Sequence, residues 1–139
     1  MGMKLTGTGN LATILRRVQA NVTRAAAAEI HRQGETMRTV SQLNAPVDEG
    51  DLEAAHFVET TTRPGGSTTT VGVGGDDVDP YALQMHEGLG PYGSGAFQPG
   101  PGTIAKGQQA GGKFLERAFD DQRGEIAPAV ADAVRKALT

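Results

Sequence analysis

The sequence has no cysteine and no tryptophan, and aromatic residues make up only 4% of it. Without cysteine there is no disulfide framework, no thiolate zinc site and no thiol nucleophile, a usage that suits a reducing cytoplasm. Scarce aromatics leave Ala, Leu, Val and Ile to build the core, and all hydrophobic residues together reach 37%. No stretch approaches the roughly 18 to 20 apolar residues of a membrane span. The opening "MGMKLTGTGNLATILRR" also lacks the apolar centre of a signal peptide, so a soluble, unexported chain with no membrane partner is expected. Basic residues are not in excess either. Thirteen Lys and Arg against 16 Asp and Glu give a formal charge of -3, unlike the basic footprint of most nucleic-acid binders. What is plentiful is glycine, 20 residues, joined by 7 prolines in 139 positions, which points to one domain of ordered segments separated by loops.

Hydrophobic periodicity locates the segments. From Asn10 to about Leu43, apolar residues at Leu11, Ile14, Leu15, Val18, Val22, Ile30, Met37 and Val40 trace one stripe of a helix, with Thr8 or Asn10 as its N-cap. Gly34 weakens such a helix by about 1 kcal/mol relative to Ala, so a bend or break is expected there. Pro46 stops the helix, because it disfavours helical geometry at Ala45 and donates no hydrogen bond. Asp48 then caps a turn or short helix through "DEGDLEAA", with Leu52 and Ala55 inward. "HFVETTTR" and "STTTVGVGG" are rich in β-branched residues and flank "PGG", the pattern of a hairpin. "YALQMHEG" has the composition of a helix but the length and position of a third strand. Residues 88–112 carry neither period and read as a flexible loop, as do residues 1–9 as an arm. Helical spacing returns from Lys113 to Leu138, where Gly124 and Pro128 should bend or split the element near Ala127. The expected architecture is one α+β domain over 1–139: a long N-terminal helix, a small antiparallel β-sheet, a long Gly/Pro-rich loop and a C-terminal helix.

Catalytic and metal chemistry find little support. His86 and Glu87 are adjacent, lack an HxxxH or HExxH companion, and suit a solvated or subunit-contacting pair better than a metal site. "GLGPYG" at 88–93 satisfies GxGxxG formally, but no strand-turn-helix surrounds it. Asp76, Asp77 and Asp79 lack the regular calcium loop and suit a turn and cap. No catalytic residue, metal ligand or cofactor is assigned. Arg16, Arg17, Arg24, Arg32 and Arg38 could line a DNA-contacting helix face, although balancing acids suit a solvated face or a subunit interface equally.

Three segments, in order, resemble one family. "APVDEGDLEAA" at 45–55 is similar to the "APVDTGNLRxS" signature of the tail-completion or tail-component proteins of long-tailed bacteriophages, which sit in the neck between head and tail. "PYALQMHEG" at 80–88 is similar to that family's "YAxYVExG", and "GGKFLERAF" at 111–119 to its "xPFLxPA". Glu49 and Asp51 depart from the usual Thr and Asn, His86 stands where Val is frequent, and the proline before Phe114 is missing. The resemblance implies a non-enzymatic virion protein of the neck, assembled in the host cytoplasm as a homo-hexameric ring. Its implied neighbours are the head-side connector or stopper and the tail terminator or tail tube, and genomic DNA passes through its lumen without sequence-specific binding. A tail terminator or minor capsid role is the related alternative, and a DNA-binding accessory protein the alternative of another class. Pro46, Asp48, Gly50 and Leu52 would form its structural hinge. Tyr81, His86, Glu87, Tyr92, Phe97, Phe114 and Leu115 would be its candidate subunit-interface residues.

Overall fold

The computed structural model describes residues 1–2, 8–47, 49–89, 96–107 and 110–139. Two of the expected site residues, Asp48 and Tyr92, lie outside them, as do most of residues 1–9. The elements in order are α1 (Thr8–Asn44), α2 (Asp51–Ala54), β1 (His56–Arg63), β2 (Gly66–Val73), α3 (Asp79–His86), α4 (Pro101–Lys106) and α5 (Phe114–Leu138). The α+β architecture with long terminal helices around a small antiparallel sheet is as the sequence predicts. Among the described residues no helix is long and apolar enough to cross a membrane.

The 37 residues of α1 form a single helix, about 55 Å long at 1.5 Å per residue. It continues unbroken through Gly34, so the break that the sequence allows there does not occur. Gly34 serves close packing instead: a Cβ there would lie 2.6 Å from Thr69 Cγ2 and 3.0 Å from Val58 Cγ1. The bare backbone lets the hairpin settle directly on the helix, and this packing outweighs the weak helix propensity.

β1 and β2 pair antiparallel from His56↔Val73 to Arg63↔Gly66. The two-residue turn is Pro64-Gly65, with Gly65 at φ 81°, a backbone conformation that glycine adopts without steric cost. Alternation then sets the faces: His56, Val58 and Thr60 of β1 and Thr69, Val71 and Val73 of β2 are the less exposed positions, turned to α1. His31 Nδ1 stands 2.9 Å from Thr60 Oγ1, and Thr60 Oγ1 2.7 Å from Thr69 Oγ1. On the outer face Phe57 lies across Gly72 in the opposite strand, where a Cβ would come within 2.5 Å of its ring.

"YALQMHEG" is helical, not a third strand. Val78 precedes α3 without a side-chain cap, Asp79 ties down the preceding turn by accepting the Gly75 N–H at 2.8 Å through Oδ1, Pro80 occupies the first turn, and Ala82 is buried. The sheet has two strands. The 88–112 segment is not wholly without structure: it contains α4, begun by Pro101, which the six-residue length hid from any periodicity.

α5 runs antiparallel to α1, since Arg117 reaches Asn44 and Gln122 reaches Gln33. It continues unsplit through Pro128, where the sequence predicts a bend or a split. The ring removes one hydrogen bond and crowds the carbonyl four residues earlier. That carbonyl belongs to Gly124, and both residues are exposed, so water can serve the freed group. Across the seam the buried Gln122 amide donates to the Gln33 carbonyl at 2.8 Å and to Gln33 Oε1 at 2.6 Å. Gln33 in turn donates to Glu29 Oε1 at 2.9 Å. Hydrogen bonds from Arg32, then Gln33, hold the Glu29 carboxyl down to about 2.

Candidate functional site

The three motif segments meet at one place, the C-terminal end of α1. Ala45 and Leu52 from the first, Ala82 from the second and Phe114 from the third form the buried apolar cluster, with Val73, Tyr81, Met85 and Leu115 packed around it. Main chains join them too. Gly111 N–H donates to the Asn44 carbonyl at 2.8 Å and Lys113 N–H to the His86 carbonyl at 2.5 Å. Gly112 and Gly88 approach so closely that a Cβ on Gly112 would stand 2.8 Å from Gly88 Cα. Lys113 takes a left-handed φ of 55°, and its ammonium donates to both Glu87 carboxylate oxygens at 2.8 Å. That contact comes first among those holding Glu87 below the usual carboxylate range and Lys113 above the usual amine range.

The hinge is a capping device. Pro46 is buried, Leu52 is 5% exposed, and Gly50 at φ 96° opens α2. The carbonyls at the end of α1 would otherwise be unsatisfied. Lys106 of α4 donates to those of Gln42 and Ala45 and pairs with Glu53, placing a cation at the negative end of the helix. Thr103, 2% exposed, accepts the Val47 N–H at 2.9 Å and donates to the Val47 carbonyl at 3.0 Å. Beneath the hinge, His56 Nδ1–H donates to the Leu52 carbonyl at 2.8 Å, which leaves Nε2 to accept from Ser41 Oγ at 2.9 Å. Burial pushes the His56 pKa below its ordinary 6.5.

Several expected interface residues therefore face inward. Phe114, 1% exposed, is the centre of the core and cannot meet a neighbour, because its ring lies between His56 and His86 at 5.8 and 5.0 Å. Tyr81 is half-buried against the same cluster. His86 and Glu87 are 3.4 Å apart, with Glu87 engaged by Lys113. Phe97 is half-buried, and its N–H donates to the Gly88 carbonyl at 3.0 Å. Of the described set, Leu115 and His86 line an open groove. Among the described residues, no group of three or more His, Asp and Glu side chains converges.

Two larger surface features were not foreseen as a pair. One is an open groove of about 650 Å3 between β2 and α5, floored by Ile30 and Met37 of α1 and walled by Val71, Leu115, Phe119 and Ile126. Phe119 is 47% exposed in it. The other is the N-terminal part of α1, where residues 9–21 are all exposed, although the hairpin tip at Thr62, Pro64 and Gly65 forms a shallow recess with Arg16, Gln19 and Ala20. Its apolar stripe, Leu11, Ile14, Leu15 and Val18, is 55, 54, 59 and 39% exposed. No acid accompanies Arg16, Arg17 and Arg24 between residues 8 and 28, and the ion pairs of α1 among the described residues fall on its second half, at Glu29, Arg32, Glu35 and Arg38. Compared with protein-family models, curated proteins and solved structures, the chain has no match in any of the three.

Proposed function

We propose that this chain is a structural protein of the bacteriophage head–tail junction, acting by assembly rather than by catalysis. In this role copies close into a homo-hexameric ring in the neck. The ring lies between the head-side connector or stopper and the tail terminator or tube, and DNA passes through it. The observation that carries the proposal is the uncovered apolar stripe at Leu11, Ile14, Leu15 and Val18, which the chain's own fold leaves to solvent. A contiguous apolar face of this kind marks an interaction surface. The ordered resemblance of the three motif segments supplies the setting, and their convergence on one core gives them a shared structural reason. Electron microscopy of lysates from the source phage with this gene disabled tests it. Filled heads lying apart from finished tails support the joining role; joined, normal-looking particles remove it.

A second proposal, a DNA-binding accessory protein, draws on Arg16, Arg17 and Arg24 standing together without acids. It requires duplex affinity that falls steeply with salt, and a mobility-shift titration that shows no binding at low salt eliminates it.

A further inference from the structure

We infer that the recess between the hairpin tip and the N-terminal half of α1 is a phosphate-binding site, and that its ligand is the backbone of a nucleic acid. The inference deepens the second reading above, on which it rests, by giving that reading a site. The recess holds about 510 Å3 and is lined from α1 by Arg16, Gln19, Thr23 and Arg24 and from the hairpin by Thr62 and Gly65. Helical geometry puts the first four on one face, because residues three and four apart are neighbours. Guanidinium, amide and hydroxyl groups all donate hydrogen bonds, and Arg16 and Arg24 are exposed, so the walls present donors and positive charge to whatever enters.

The lack of any counter-charge selects an anion. Every lining residue comes from 8–28 or 60–75, and these two stretches contain Arg16, Arg17, Arg24 and Arg63 but no Asp or Glu. Further along α1 the arginines are paired, Arg32 with Glu29 and Arg38 with Glu35, both at 2.6 Å. No acid lines the recess beside Arg16 and Arg24. Their spacing suits a run of phosphates better than a single ion. Eight residues separate the two, about 12 Å along the helix axis at 1.5 Å per residue. Phosphates of one duplex strand advance by about 3.4 Å each, so the two positions stand roughly three to four phosphates apart. Arginine and hydroxyl donors of this kind hold backbone oxygens without reading bases. Such a contact needs only a local basic surface, which is what a chain of formal charge -3 provides here.

The test is fluorescence anisotropy of a short labelled DNA duplex titrated with the full chain at several salt concentrations. The variants are Arg16→Gln and Arg24→Gln on the helix wall, Thr62→Glu on the hairpin wall, and Arg123→Gln on α5 as the control. All four positions are exposed, and circular dichroism should show an unchanged fold. Two phosphate contacts give the wild type a slope of log K against log salt of about -2, and losing either arginine should reduce it by about 1. Thr62→Glu sets a carboxylate against the phosphates and should weaken binding at least about tenfold. Arg123→Gln should keep the wild-type slope, and inorganic phosphate at matched ionic strength should not displace the duplex. Duplex binding that Thr62→Glu leaves unchanged, or a slope that neither Arg16→Gln nor Arg24→Gln reduces, keeps the DNA reading but overturns the recess as its site. No duplex binding at low salt removes that reading and the inference together. Displacement by millimolar inorganic phosphate makes the recess a site for the free ion and overturns the backbone assignment. None of these outcomes touches the head–tail proposal, which the gene-disabled phage decides separately.

Discussion

Gly34 of α1 faces Thr69 of β2 at a distance that leaves no room for a methyl group, 2.6 Å from a Cβ position to Thr69 Cγ2. Gly34→Ala should therefore destabilise the chain by about 1–3 kcal/mol through overpacking, despite a helix-propensity gain of about 1 kcal/mol. Gly124→Ala is the matched control, because nothing lies within 4 Å of its Cβ position, and it should stabilise. Urea unfolding of the two variants should show midpoints shifted in opposite directions.

His56 makes stability depend on pH. Burial lowers its folded-state pKa below 6.5, so the unfolded chain takes up the proton more readily. The stabilisation is complete above pH 6.5 and is lost as the pH falls from there through the folded-state pKa. His56→Gln should be less stable at neutral pH and should show a shallower decline on acidification. Comparing urea midpoints for both chains between about pH 7.5 and pH 5 isolates the His56 share.

Lys106 holds the end of α1 through the Gln42 and Ala45 carbonyls. Lys106→Met keeps the aliphatic stem but strands those acceptors, at a cost of about 1.5–3 kcal/mol for a charged hydrogen bond at a part-buried site. Hydrogen exchange should quicken at Gly111, whose N–H is bonded to Asn44, while exchange in the α1–α5 seam around Gln33 changes less.

Pro128 sits exposed inside α5. Pro128→Ala restores the missing N–H and should raise stability by up to about 3 kcal/mol. Thermal unfolding checks it, and no gain would mean that the helix has adapted fully to the ring.

Most of the architecture was legible because it follows local periodicity and stop signals. The stripe from Leu11 to Val40 marked α1, the β-branched runs around Pro64-Gly65 marked the hairpin, and Pro46 marked the end of α1. What local rules missed was decided by tertiary contact. Gly34 and Pro128 are breakers by propensity, yet packing at the first and exposure at the second let each helix continue. α4 is too short to show a period. The buried polar partners, Gln33 with Gln122 and Ser41 with His56, are separated by 89 and 15 residues, and nothing local pairs them. Phe114, expected at an interface, sits in the core at 1% exposure, because its ring packs with residues that are distant in sequence. The groove, likewise, exists only once β2 and α5 are both laid on α1.

The most direct test of the assembly role is to add purified chain to a lysate of the gene-disabled phage and count plaques. A rise in infectious particles with wild-type chain, accompanied by joined heads and tails in the microscope and absent with Leu15→Glu, is the result predicted. An unchanged titre with correctly folded wild-type chain, in a lysate where a gene copy supplied in trans restores infectivity, would contradict it.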